Sequence, residues 1–141
     1  MKPFIKKLLK RGCITVSSEE KIKEVAALLA KNSIGAVPVT NKNEEVIGIV
    51  SERDIVRNLN NRDVDITSEK VATIMTKSVI SAPKTVSSSD LMEIMTENKI
   101  RHVVIIEDQA LLGIVSIGDV VKRLMEKLEG EAEQLRTFIN S

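Results

Sequence analysis

Apolar and polar positions follow two alternating periods along this chain, and the same succession of periods occurs twice. From about Glu19 to Lys31, the residues Ile22, Val25, Ala26, Leu28 and Leu29 recur at the spacing of one helix face. Ile34–Val39 is a short apolar run rich in β-branched residues, which predicts a buried strand. Asn41–Glu44 reads as a polar turn, and Val46–Val50 returns as the second arm of a hairpin. A second helix is predicted from near Ser51 to about Leu59. Ahead of these lie a short strand around Cys13–Val16 and a Ser17/Glu20 pair with capping-box spacing. Pro38 cannot donate to a sheet ladder, so it is expected at an edge or where pairing stops.

The second half repeats this order. Gly48-Ile49-Val50-Ser51-Glu52-Arg53-Asp54-Ile55-Val56 returns as Gly113-Ile114-Val115-Ser116-Ile117-Gly118-Asp119-Val120-Val121. Ile14 and Ile80, like Ile34 and Ile100, lie 66 residues apart, whereas Gly48 and Gly113 lie 65 apart. The missing residue falls in the hairpin turn, where a deletion is tolerated without flipping strand faces. Units this small bury too little surface to stand alone and must pack on one another. Their pseudo-twofold join would create two equivalent clefts suited to a small ligand.

The divisions predicted are a basic amphipathic helix over 1–12, a first repeat over 13–60, a linker and lead-in over 61–78, a second repeat over 79–125 and a helical extension over 126–141. In the first segment Phe4, Ile5, Leu8 and Leu9 share one face, so it reads as a docking helix with its basic side in solvent, stopped by Gly12. Glu69–Met75 reads as a short helix. One long helix is predicted from Asp119 to about Ile139, with Gly130 as its weak point. Leu124, Leu128, Leu135 and Ile139 mark on it an edge in search of a partner. Each unit is strand–helix–strand–strand–helix, which makes the fold α+β.

Composition narrows the classes of function. The net charge is +1, so no global field draws in nucleic acid or anionic membrane. No stretch approaches the length of a membrane helix and no signal-peptide core is present, so the expected location is cytoplasmic. One cysteine, Cys13, allows no internal disulfide, and with one histidine it makes a zinc site improbable. The chain has no Trp, no Tyr and only two Phe, so a planar ligand would be held by aliphatic side chains and backbone. Missing aromatic platforms also count against single-strand nucleic-acid binding. Met75, Met92, Met95 and Met125 read as core filler, and Cys13 as a small buried hydrophobe.

The doubled Ser-x-x-Asp turn carries the chemistry. Ser51 with Asp54, and Ser116 with Asp119, have the spacing of a capping box and need no further purpose. The same geometry also offers a helix N-terminus and a hydroxyl to a phosphate, and a carboxylate to vicinal ribose hydroxyls.

The doubled motif resembles the cystathionine-beta-synthase (CBS) domain, on Ile34-Gly35-Ala36-Val37-Pro38-Val39 with Gly48–Arg57, and on Ile100-Arg101-His102-Val103-Val104-Ile105 with Gly113–Val121. The likeness spans roughly residues 13–125, and Val71–Thr76 is similar to the lead-in between two such domains. It implies two tandem β-α-β-β-α CBS repeats packed with pseudo-twofold symmetry. It implies adenosyl ligands (AMP, ADP, ATP or S-adenosylmethionine) in clefts between the repeats, and no required cofactor. By residue, the resemblance assigns Asp119 and Ser116 to ribose and phosphate, and Ser51 and Asp54 to the same roles in the first copy. It places Arg101 and His102 against phosphate, and backbone and aliphatic residues such as Ala36, Val37 and Ile114 around adenine. The second copy, with Arg101 and His102 where the first has Gly35 and Ala36, is expected to be the better endowed.

The reading is a non-catalytic regulatory module, energy-sensing, that binds an adenine nucleotide, forms a homodimer and signals to a client protein by conformational change. Two rivals are a nucleic-acid-binding protein using the basic N-terminal helix and a nucleotide-hydrolysing enzyme. Near-neutral charge disfavours the first. Against the second stands the lack of a phosphate-loop lysine motif, a metal-ligand cluster or an activated nucleophile.

Overall fold

The computed structural model describes residues 1–141. The elements in chain order are α1 (Pro3–Leu9), β1 (Val16–Ser17), α2 (Ile22–Asn32), β2 (Ala36–Thr40), β3 (Val46–Ser51), α3 (Glu52–Asn58), a 3-10 turn (Val71–Thr73), β4 (Ser81–Ala82), α4 (Ser88–Asn98), β5 (His102–Glu107), β6 (Ala110–Ser116) and α5 (Ile117–Asn140). They build two three-stranded sheets in the orders β1-β2-β3 and β4-β5-β6. In each sheet the first pair is parallel and the second antiparallel. Each hairpin carries one irregularity, at Val39/Thr40 and at Ile105/Ile106, which are matching positions of the two repeats.

Two apolar clusters make the core, and each borrows from the other half of the chain. The first contains Val16, Ile22, Val25, Leu29, Val37, Val39, Val50 and Ile55, together with Val71 from the 3-10 turn; Ile74 and Met75 pack against it. The second contains Leu91, Met95, Val103, Ile105, Val115 and Val120, together with Ile5 from α1; Phe4, Leu8 and Leu9 pack against it. The lead-ins therefore cross. The segment before each repeat lies on the sheet of the other repeat. Thr76 exchanges two backbone hydrogen bonds with Ile49 of β3, at 2.9 and 2.8 Å. Leu9 lies so close to Gly113 of β6 that a Cβ there would stand 2.6 Å from its Cδ2.

Several local predictions are revised. The Ser17/Glu20 capping box does not start α2, which begins at Ile22 with Lys21 at its N-cap. The linker takes over that job: the Ile22 and Lys23 amides donate to the carbonyls of Glu69 and Ile66 at 3.0 and 2.9 Å. The matching helix α4 does keep a capping box, from Ser87 and Asp90. Pro38 lies not at an edge but in the central strand, opposite Ile49, and there pairing with β1 stops, the second of the two expected places. Val104, its counterpart, donates to Ile80 at 3.2 Å, so the proline delays the parallel pairing by one residue. The predicted helix over Glu69–Met75 is only a 3-10 turn, and α5 runs unbroken through Gly130. Met95 is buried as expected, but Met125 is half-exposed. No helix is long and apolar enough to cross a membrane.

Candidate functional site

Ser51 and Ser116 close β3 and β6, and in both places the next residues turn directly into a helix. Each Ser is an N-cap whose side chain accepts from the Asp amide three residues on, while its own amide donates to that Asp carboxylate. The Ser51 and Ser116 amides stand 2.8 and 2.9 Å from the Oδ2 atoms of Asp54 and Asp119. The capping box is thus present in both copies. It fixes both carboxylates at the mouths of clefts formed by the crossed lead-ins.

The Asp54 cleft is a cavity of about 420 Å³. Ser51, Asp54 and Arg57 come from the first repeat; Thr76, Ser78, Ile80 and Arg101 come from the lead-in and second repeat. Here the expected grouping is corrected. Arg101 lines the cleft of Asp54, not that of Asp119, while the neighbouring strand-start residues Gly35 and Ala36, and Ser116, border both clefts. His102 borders both clefts. Arg53, Arg57, Lys99 and Arg101 set four cations against the carboxylates of Glu52 and Asp54. Asp54 Oδ2 accepts from the Ser51 amide and from Ser51 Oγ, at 2.8 and 3.1 Å. Its Oδ1 has only Arg57 nearby, at 3.8 Å, too far for a hydrogen bond. One face of this buried carboxylate therefore stays open to a diol.

The Asp119 cleft, about 380 Å³, is lined by Arg11, Cys13, Ile14, Ala36, Ile114 and Ser116 among others. Its carboxylate is occupied. Arg11 Nη1 and Nη2 donate to Asp119 Oδ1 and Oδ2 at 2.9 and 2.7 Å, and Nη2 also donates to the Ile114 carbonyl at 2.9 Å. The expectation of a purely solvated basic side on residues 1–12 thus fails at Arg11. Burial alone would push the Asp119 carboxyl up, but the hydrogen bonds from Arg11 and the Ser116 amide outweigh it and leave it lowered. Burial likewise pushes His102 down, only partly offset by Asp119 and Glu52, so the imidazole favours its neutral form. Burial raises the Cys13 thiol against the opposing pull of Arg11.

Among the other expected contacts, Ala36 borders both clefts and Ile114 the second. Val37 is fully buried in the first core and reaches neither. Sequence reasoning assigns no ligand role to the lead-in residues Arg11, Thr76 and Ser78 or to the cations Arg53, Arg57 and Lys99, all of which line the clefts. The 66-residue spacing that pairs Ile14 with Ile80 extends to Arg11 and Lys77, and could have marked the lead-ins.

Comparison with known proteins agrees with this architecture. The family model described as "CBS domain" matches residues 5–61 and 71–126. A CBS-domain containing protein of Agrobacterium tumefaciens shares 40% identity, with a TM-score of 0.77 over 84% of this chain and 90% of that one. A CBS domain protein of Pyrobaculum aerophilum complexed with AMP shares 33%, with a TM-score of 0.72 over 80% and 86%. The CBS domain pair of protein MJ0100, in complex with 5-methylthioadenosine and S-adenosyl-L-methionine, shares 26%, with a TM-score of 0.77 over 87% and 96%. Against three curated relatives this chain spans 62%, 22% and 63% of their length, so those proteins carry further sequence of their own. Two matched repeats, two sheets of one topology and clefts between them lead to one conclusion: the chain belongs to the CBS domain family, as a tandem pair.

Proposed function

We propose that this protein is a non-catalytic regulatory module that binds an adenine nucleotide between its CBS repeats and passes the bound state to a client protein through a change in how the repeats pack. The observation that carries this reading is Asp54. A buried carboxylate with one open oxygen suits ribose hydroxyls, and it sits beside four cations, of which Lys99 and Arg101 are delivered by the other repeat. Four cations favour an anionic ligand, AMP, ADP or ATP, over the sulfonium of S-adenosylmethionine. Related structures that hold AMP, or S-adenosyl-L-methionine with 5-methylthioadenosine, support the adenosyl class. Ligands of differing phosphate number would bridge the two repeats differently, which gives an energy-sensing module something to report.

The reading includes a homodimer and a cytoplasmic setting. Met125, Leu128, Leu135, Phe138 and Ile139 leave one flank of α5 apolar and exposed, which a second copy would cover. One free cysteine sets no demand for an oxidising compartment.

The test uses the absence of Trp and Tyr. Freshly purified protein is denatured and filtered, and the filtrate is read at 260 nm and by mass spectrometry. Adenine released in proportion to protein, or calorimetric binding of added AMP or ATP that is lost in Asp54→Ala, supports the module. No adenine in the filtrate and no heat with AMP, ADP, ATP or S-adenosylmethionine would sink it.

A further inference from the structure

We propose that Arg11 latches the Asp119 cleft against ribose, so that each chain takes one nucleotide, at Asp54, and gains a second site only when the N-terminal segment lets go. This inference rests on the adenine-nucleotide reading above and adds which cleft is available.

A carboxylate offers about four lone-pair sites. On Asp119, three donors already use them: Arg11 Nη1 on Oδ1, and Arg11 Nη2 and the Ser116 amide on Oδ2. A ribose diol needs two acceptors, so it cannot bind without displacing Arg11. That exchange gives up a bidentate pair between two opposite charges for hydrogen bonds from uncharged hydroxyls, and it leaves the guanidinium without its partner. The fork is further tied to the Ile114 carbonyl of the cleft wall.

The matching lead-in position of the other cleft makes no such contact. Lys77 stands where Arg11 stands, 66 residues on, and forms no ion pair. Asp54 therefore keeps Oδ1 open while Asp119 does not.

The latch is tethered to α1. Ile5 is fully buried in the second core and Leu9 covers Gly113, so docking of α1 brings Arg11 to the cleft. Gly12, at φ +76°, makes the sharp turn that aims the chain from α1 into the cleft. The Arg11 side chain is 47% exposed, so the pair is reachable from solvent and can open without unfolding either core.

The test is calorimetric stoichiometry with AMP on the full chain and on Arg11→Gln, Arg11→Lys, Asp54→Ala and the Arg11→Gln/Asp54→Ala pair. The latch predicts about one AMP per wild-type chain, about two for both Arg11 variants, and none for Asp54→Ala alone. The double variant should regain about one, now at Asp119. Arg11→Lys keeps the charge, so a folding defect in Arg11→Gln, read by circular dichroism, leaves the test intact. Two AMP in the wild type, or unchanged or weaker binding in folded Arg11 variants, overturns the latch; weaker binding would make Arg11 a phosphate contact. No AMP bound by any variant instead overturns the nucleotide reading, and the latch falls with it.

Discussion

Met75 lies over Gly48 so closely that a Cβ at residue 48 would stand 2.5 Å from its sulfur, and 3.1 Å from the Thr76 carbonyl. Gly113 makes the equivalent contact with Leu9. These glycines are the first residue of the doubled motif, and their bareness is what lets the crossed lead-ins seat.

Gly48→Ala should therefore destabilise the fold by about 1–3 kcal/mol, the usual cost of overpacking. Gly113→Ala should cost less, because only the mobile tip of Leu9 must move. Urea unfolding of both variants checks the order.

Asp119 gives stability an acid limb. Its folded carboxyl titrates below its ordinary range, so the unfolded chain binds the proton more readily. The contribution is full above the unfolded value and is lost as pH falls through the folded one. Unfolding midpoints measured from about pH 5 downward should fall more steeply in the wild type than in Arg11→Gln, which lacks the main partner. Equal slopes would show that the pair contributes nothing.

His102 is the only histidine, so its titration can be followed as one imidazole resonance. Burial should place its midpoint below the ordinary value of about 6.5. The sign is that of a depressed base: stability declines as pH drops from that value toward the folded midpoint. A midpoint at or above the ordinary value would contradict a neutral imidazole between the clefts.

Ser51→Ala removes the N-cap of α3 and should lower stability by about 1 kcal/mol, while also weakening AMP binding if the hydroxyl serves the ligand. Ser87→Ala, which uncaps α4 away from both clefts, should cost similar stability and leave binding unchanged. Thermal unfolding and calorimetry on the two variants separate capping from recognition.

On α5, Val121, Met125, Leu128, Ala132, Leu135 and Ile139 follow alternating steps of four and three, the seam of a two-stranded coil. The large members are 45–70% exposed. Leu128→Glu with Leu135→Glu should turn a dimer into a monomer by light scattering. A dimer that survives both changes would have its interface elsewhere.

Much of this was legible in the sequence because it is local. Period-two strands, helix faces and the Ser-x-x-Asp turns declare themselves within a few residues, and the repeat multiplies each signal. What the spacing could not show was which repeat a lead-in lies on. Aligning Ile14 with Ile80 is equally true whether the segments stay home or cross, so spacing alone groups Arg101 with Asp119, whereas the fold gives it to the Asp54 cleft. Arg11 was invisible for a related reason: its partner is 108 residues away. At Ser17, a local rule lost to a tertiary one, since linker carbonyls already satisfy the α2 amides.

The crossing of the lead-ins makes the chain a reciprocal exchange written into one polypeptide. Neither half owns a finished interior: residues 1–60 carry the helix that seals the second cluster, and residues 69–141 carry the turn that seals the first. Severed in the linker, the halves would be mutual complements, each holding the other's missing piece.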